Sequence, residues 1–258
     1  MISTVFFDSS GTLVSGDLDV PACRESVARY LRSRGFRVST ERYAMACEAG
    51  LHELRIRRKV GREITYEDFM RTILRDLGIS DKAPIKEIEQ IEFDHYHWIP
   101  VPHVRKVLSE LSNSYRLAII SNGMADSAIH ILKERKLLSL FETVVLSRDV
   151  GYRKPHPAIF NHALRELGVS AGESVFVGDN ATADVLGARN VGMNAILISR
   201  GKEVPPEGFI DDPFLYLATD ITEVPHAIRQ LDSLESKDMT YHPPNGIRMV
   251  TPGPRKGS

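Results

Sequence analysis

Short apolar runs recur along the chain, separated by segments with helical periodicity. The first run, residues 4–7, is β-branched and aromatic, as expected of a buried strand. Five similar runs follow between residues 116 and 218, namely RLAIIS, TVVLS, SVFVGD, NAILIS and FLYLA. Near-continuous apolar strands that alternate with helices predict an α/β fold with a doubly wound parallel sheet covered on both faces.

The segment from about residue 20 to residue 98 has a different pattern. Apolar residues recur there with helical spacing, and start and stop signals such as Pro21 and Gly35 delimit four predicted helices. Ligands of open α/β sheets bind beyond the carboxyl ends of the strands, so an insert that follows the first strand is placed to cover such a site. We expect a discontinuous catalytic core at 1–15 and 100–234, a helical cap at 16–99, and a flexible polar tail at 235–258.

Composition narrows the possible environments and partners. The chain has 258 residues, 42% hydrophobic and 26% charged, with a formal net charge of -1. A nearly neutral chain gives no bulk attraction to nucleic acid or membrane, so we expect neither as a partner. Two cysteines, Cys23 and Cys47, are too few for a disulfide scaffold. With no apolar run long enough to span a bilayer and no signal peptide, we expect a cytoplasmic protein; its oligomeric state stays open.

Polar residues follow four of the predicted strands. Each such feature is weak alone, since a strand that ends in Asp or in Ser-Asn-Gly is common. Together they are informative, because the carboxyl ends of parallel strands meet at one edge of a sheet. The candidates are Asp8, Ser121, Asn122, Lys154, Asp179 and Asp184.

The three aspartates suggest a metal-assisted reaction at phosphorus. A carboxylate such as Asp8 can attack phosphorus and form an aspartyl-phosphate. Two anions repel each other, and Mg²⁺ favours carboxylate oxygens together with substrate phosphate. We therefore expect Asp8 and Asp179 to bind Mg²⁺ directly, with Asp184 either a ligand or a support for one.

The other candidates suit the phosphate group. The Ser121 hydroxyl can donate to a phosphate oxygen, and Lys154 adds positive charge against the phosphate and Asp8. Asn122 either bonds the phosphate or orients its turn. Gly11 and Thr12 end a turn whose backbone N–H groups can face an anion. The implied partner is a small phosphorylated substrate.

Four segments resemble the motifs of the haloacid dehalogenase superfamily: FFDSSGTLV, AIISNG, GYRKPHPAIF and VFVGDNATADVLGA. The resemblance covers residues 1–17 and 100–201. It implies a Rossmann-like core with an inserted helical cap, and it makes Asp8 the nucleophile. It also implies that the backbone carbonyl of Ser10 is a further metal ligand.

Ser10 departs from the phosphatases of that superfamily, which carry a second aspartate at this position. That aspartate protonates the leaving oxygen and then activates water. Serine can do neither at neutral pH, and general acid–base help is worth about 10²–10⁴-fold in rate.

Four interpretations remain open at this stage. The first is a magnesium phosphatase with a modified acid step, and the second is a phosphate-binding or regulatory protein without fast turnover. The third is C–P bond cleavage in which Lys59 forms a Schiff base with the substrate. The fourth is dehalogenation, although the family's dehalogenases have Tyr in place of Ser10 and lack the Gly178-Asp179 pair. The presence of all the metal-side acids together favours the phosphatase.

Overall fold

The computed structural model of the protein describes residues 1–79, 84–125, 127–200, 204–205, 209 and 212–235. Within these residues six strands form one sheet: β1 (Thr4–Phe7), β4 (Arg116–Ser121), β5 (Thr143–Leu146), β6 (Ser174–Gly178), β7 (Asn194–Ile198) and β8 (Leu215–Ala218). Their order in the sheet is β5-β4-β1-β6-β7-β8. All neighbouring strands are parallel, which confirms the predicted doubly wound sheet. Two short strands, β2 (Val14–Ser15) and β3 (Ile99–Pro100), pair separately.

Helices cover both faces of the sheet because successive side chains of a strand point to opposite sides. In β1, Phe7 packs into one hydrophobic cluster and Phe6 into another, and both are fully buried. The Phe7 side is covered by α5 (Val104–Leu111), α6 (Ser127–Glu134) and α10 (Val224–Glu235). The Phe6 side is covered by α8 (Pro157–Leu167) and α9 (Gly187–Asn190).

Four helices lie between β2 and β3 and have a hydrophobic cluster of their own, which includes Val27, Tyr43, Met70 and Ile88. Asp19, Ser39 and Thr65 cap the first three through side-chain oxygens that accept backbone N–H groups. The helices are α1 (Val20–Ser33), α2 (Thr40–Arg58), α3 (Tyr66–Asp76) and α4 (Ile85–Asp94). This is the predicted helical cap, with α4 ending before residue 98.

The two chain segments that join the cap to the sheet run side by side. Val14 pairs with Pro100 and Ser15 with Ile99 in an antiparallel ribbon. The ribbon was not predicted, because two-residue strands leave no periodic pattern. It lies directly after the turn that follows Asp8, so the connection to the cap starts beside the candidate site.

Several boundaries differ from the sequence expectation. Helical periodicity between β6 and β7 predicts a regular helix, whereas the structure has a π-helical turn, Ala181–Leu186, followed by α9. A short helix, α7 (Ser147–Val150), was not predicted. The predicted tail lies outside the described residues except at residue 235. The exact division into core and cap stays a prediction. No described helix combines the length and apolar character needed to cross a bilayer.

Candidate active site

Asp8 directly follows the central strand β1 and lies at the carboxyl edge of the sheet. Its N–H donates to the carbonyl of Val177 in β6 at 2.9 Å. The ammonium of Lys154 donates to Asp8 Oδ1 at 2.7 Å and to the Ile120 carbonyl at 2.8 Å. It also lies 2.7 Å from Asp184 Oδ1. Lys154 is therefore held among three oxygen atoms, with only 1% of its side chain exposed.

Three carboxylates from two loops meet beside this lysine. Asp8, Asp179 and Asp184 each present an oxygen, and these oxygens lie within 4.8 Å of one another. Two glycines make the close approach possible. A Cβ at Gly11 would lie 2.0 Å from Asp179 Oδ2, and one at Gly178 would lie 2.3 Å from Asp184 Oδ2.

Burial and the crowding of acids raise the pKa values of Asp8 and Asp179. Burial raises the pKa of Asp8 to about 7; Lys154 acts against this, and the Asp184 and Asp179 charges add to it. The pKa of Asp179 is raised as well, first by burial and then by Asp184. Burial alone would lower the pKa of Lys154, but Asp184 and Asp8 raise it above its ordinary value. The cluster is thus short of positive charge, and its oxygen donors fit a magnesium ion.

Ser121 lies at the end of β4 and contacts a residue that the sequence reasoning missed. Its Oγ is 2.6 Å from Oγ of Ser9, and Ser9 is fully buried. A hydroxyl has one donor and two acceptor positions, so Ser121 can accept from Ser9 and still donate to a ligand. No periodic or motif signal distinguishes Ser9 from its neighbours in the sequence.

Asn122 holds the backbone of Lys154 from both sides. Its Nδ2 donates to the Lys154 carbonyl at 3.0 Å, and the Lys154 N–H donates to Asn122 Oδ1 at 2.7 Å. These two bonds are what the orienting role of Asn122 requires, while the second N–H of its Nδ2 is not used by them.

The turn after Asp8 is only partly available to an anion. The Gly11 N–H donates to the Val14 carbonyl at 2.7 Å and would have to leave it to bind a phosphate. Thr12 is fully buried, and its hydroxyl has no partner among the described residues. Ser10, by contrast, is exposed and lines a cavity next to the site.

This cavity has a volume of about 390 Å³ and lies between sheet edge and cap. Ser10, Ser121 and Asn122 line it from the core, and Tyr66 and Glu92 line it from the cap. Lys59, the lysine considered for a Schiff base, is exposed at the end of α2 and is not part of the lining.

Glu63 links the cap to the core, and it is the second residue, after Ser9, that the sequence pattern does not indicate. Its side chain is fully buried and accepts hydrogen bonds from Arg58 of the cap and Arg153 of the core. The Ser147 hydroxyl donates to Glu63 Oε2 at 3.2 Å, while the Gly123 N–H donates to Ser147 Oγ at 3.1 Å. Glu63 is therefore connected to the loop that directly follows Ser121. The sequence gives no sign of this, because Glu63 lies in an ordinary charged segment.

Comparison with known proteins gives one consistent family. The model for the haloacid dehalogenase-like hydrolases matches residues 26–198. Glyceraldehyde 3-phosphate phosphatase of Methanothermobacter thermautotrophicus is 41% identical over 39% of this chain and 45% of its own length. N-acylneuraminate-9-phosphatase of Mus musculus is 29% identical over 53% of this chain and 54% of its own. The chain spans about half the length of the curated relatives it matches.

Solved structures match over most of the chain. A 2-haloacid dehalogenase from Pseudomonas syringae pv. Tomato superposes with a TM-score of 0.68 and 25% identity, over 89% of this chain and 99% of that one. A HAD phosphatase from Thermococcus onnurineus superposes with a TM-score of 0.59 and 25% identity, over 88% of this chain and 98% of that one. The family match begins after Asp8, so the placement of Asp8 in the site depends on its geometry.

Proposed function

The chain belongs to the haloacid dehalogenase-like hydrolase family, and from this premise we propose that it is a magnesium-dependent phosphohydrolase acting on a small phosphorylated metabolite. The observation that carries the proposal is the convergence of Asp8, Asp179 and Asp184 beside the buried ammonium of Lys154. Charge neutralisation and positioning are the main requirements of phosphoryl transfer.

Asp8 is the nucleophile of the proposed reaction. Lys154 holds its Oδ1, so the other carboxylate oxygen is the one that attacks. A bond forms between this oxygen and phosphorus, and the bond from phosphorus to the leaving oxygen breaks, which gives an aspartyl-phosphate. Water then hydrolyses this intermediate and restores the carboxylate. The leaving oxygen takes its proton from water or from the substrate, since Ser10 cannot supply one.

The metal would be held by Asp8, Asp179, the Ser10 carbonyl and, directly or as a support, Asp184. The carbonyl of Ser9 accepts from Leu13 and Val14, whereas among the described residues no backbone N–H donates to the carbonyl of Ser10. A free carbonyl at this point is consistent with a ligand role. Magnesium bound there supplies the positive charge that two facing anions require.

Ser121 is the proposed phosphate-binding hydroxyl, because it lies at the end of β4 and its O–H is available to the phosphate when Ser9 is the donor of their contact. Asn122 contributes by fixing Lys154. The backbone of Gly11 and Thr12 is a weaker candidate for phosphate binding, since the Gly11 N–H is already taken.

Two of the alternative reactions have less support. The Gly178-Asp179 pair, expected to be missing in a dehalogenase, lies within the carboxylate cluster. The solved dehalogenases share the fold with this chain, while the curated relatives are named as phosphatases. Lys59 is exposed and outside the cavity lining, and the described residues of that lining include no cap lysine that could form the Schiff base of C–P cleavage.

Hydrolysis of acetyl phosphate, which has a good leaving group, tests the proposal. We expect turnover with Mg²⁺ that is lost on adding EDTA and falls by at least about 10³-fold in Asp8→Asn, because the nucleophile is removed. Phosphate release is the measurement, and Asp17→Asn is the matched control on an exposed carboxylate. Phosphate binding without turnover in the wild type would instead show that this is a phosphate-binding protein and not a phosphatase.

The variant Ser10→Asp provides a second arm of this experiment. Restoring a carboxylic acid should raise hydrolysis of phenyl phosphate, a poor-leaving-group ester, by about 10²-fold or more. Ser10→Asn has a similar shape without the acid and should show no such increase. Equal rates for the two variants would contradict our account of Ser10.

A further inference from the structure

The cap end of the 390 Å³ cavity is rich in aromatic side chains. The rings belong to α2, α3 and the segment after α4, and they face a space that begins at Ser10 and Ser121 on the core side. An organic group attached to a phosphate at Ser121 would extend into this space. The aromatic lining consists of Tyr43, Tyr66, Phe69, Tyr96 and Trp98.

Two buried hydroxyls in this lining are only weakly satisfied. The hydroxyls of Tyr43 and Tyr66 lie near the Glu92 carboxylate, but neither makes a hydrogen bond of ordinary distance and angle with a described residue. Tyr43 is 1% exposed and Tyr66 is 6% exposed. A buried hydroxyl without a hydrogen bond destabilises the folded protein. Such atoms on a cavity wall therefore indicate a ligand that supplies the missing hydrogen bonds.

Glu92 of α4 adds a carboxylate to the same wall. Burial raises the pKa of Glu92 to about 7, although the nearby hydroxyls of Tyr66 and Tyr43 act in the opposite direction. Among the described residues Glu92 has no ion-pair partner, and its partly buried carboxylate is more favourable with a cation beside it.

The cations of the lining are already neutralised by other carboxylates. Arg24 lies 2.6 Å from Glu48, and Arg58 donates to both oxygens of Glu63. Within the described part of the cavity wall, Glu92 is thus the charge left without a counter-ion.

We propose that this cavity binds the organic part of a phosphate monoester that carries a primary ammonium group, with Glu92, Tyr43 and Tyr66 as its specificity-determining residues. This inference rests on the proposed phosphohydrolase function. An ammonium has three N–H donors, which match one carboxylate and two hydroxyl oxygens. The aromatic rings of the lining would add cation–π attraction where a ring face meets the cation.

The test compares 5-aminopentyl phosphate with hexyl phosphate, which replaces the ammonium by a methyl group of similar size. With Mg²⁺ we expect kcat/KM to be at least about tenfold higher for the amine. Glu92→Gln should abolish this ratio, and Tyr66→Phe, which removes one hydroxyl, should reduce it. Glu87→Gln makes the same charge change at an exposed position of α4 and should keep the ratio.

Acetyl phosphate and a binding measurement separate the possible failures. If the wild type hydrolyses acetyl phosphate but prefers hexyl phosphate, the inference is wrong and the proposed function stands. If it hydrolyses none of the three, the proposed function is wrong, and the increase in Tm on ligand addition tests the inference instead. A larger increase with 5-aminopentyl phosphate than with hexyl phosphate supports the inference, and an equal or smaller increase overturns it. A preference for the amine that survives both Glu92→Gln and Tyr66→Phe would also overturn it.

Discussion

Gly11 shows at the residue scale how tightly the candidate site is assembled. It has a φ of +88°, and its missing side chain leaves room for the Asp179 carboxylate. The chain therefore needs glycine at this position for two separate reasons, one conformational and one steric. Only the second reason concerns the site.

A matched pair of glycine variants separates these reasons. Gly35 has a φ of +89° with nothing within 4 Å of an added Cβ. We expect Gly35→Ala to lose about 1–2 kcal/mol of unfolding free energy from backbone strain alone. Gly11→Ala should lose at least as much, and its Mg²⁺ affinity should fall about tenfold or more because Asp179 must move.

Urea unfolding and calorimetric Mg²⁺ titration measure the two effects. Unchanged Mg²⁺ affinity in Gly11→Ala would show that Asp179 is not a ligand in its present position. A loss of affinity in Gly35→Ala as well would show that general destabilisation, and not the Asp179 contact, is responsible.

At the scale of elements, the connection between α2 and α3 docks on the segment that leads to Lys154. The Glu63 N–H donates to the Gly151 carbonyl, and the Arg153 N–H donates to the Gly61 carbonyl. Arg62 lies over the ring of Tyr152, with its guanidinium carbon 4.3 Å from the ring centroid. The buried Glu63 carboxylate is the centre of this contact, so we expect it to hold the cap against the core.

Removal of the Glu63 charge tests this contact. Glu63→Gln leaves Arg58 and Arg153 without their carboxylate, and we expect a loss of about 3 kcal/mol of unfolding free energy. Glu67→Gln breaks an exposed pair with Arg71 one turn along α3 and should cost less than about 0.5 kcal/mol. Both values follow from urea titrations, and similar values for the two variants would exclude a special role for Glu63.

At the scale of the whole molecule, the stability of the fold should depend on pH through Glu92. Its pKa is raised in the folded protein to about 7, above the ordinary 4.5. Below about pH 4.5 both states are protonated, so the residue adds no pH dependence. Between about pH 4.5 and 7 the unfolded chain ionises first, and the folded state loses relative stability.

Replacement of Glu92 by glutamine should remove this effect. We expect Glu92→Gln to match the wild type near pH 4.5 and to exceed it by up to about 3 kcal/mol at pH 8, since one pKa unit corresponds to about 1.4 kcal/mol. Urea unfolding at the two pH values measures the difference. Equal stability of the wild type and Glu92→Gln at pH 8 would mean that the Glu92 carboxylate is either exposed to water or paired with a cation. Glu87→Gln controls for the change in net charge.

The sequence by itself determined the sheet, the helical insert and the order of the site residues. Apolar runs with intervening helices specify parallel strands, because local periodicity records which side chains must be buried. The same logic placed Asp8, Ser121 and Asp179 at or directly after strand ends and Lys154 in the connection that follows β5. These features could be read because each depends on residues that are neighbours in the chain.

Only the tertiary structure decided how those residues are joined. The contact of Ser9 with Ser121, the two bonds from Asn122 to Lys154, and the burial of Glu63 between cap and core all link residues far apart in sequence. The environment of Glu92 is of the same kind, since its cavity is enclosed by several helices and by the sheet edge. Burial and missing partners depend on packing in three dimensions, and no local pattern of residues encodes them.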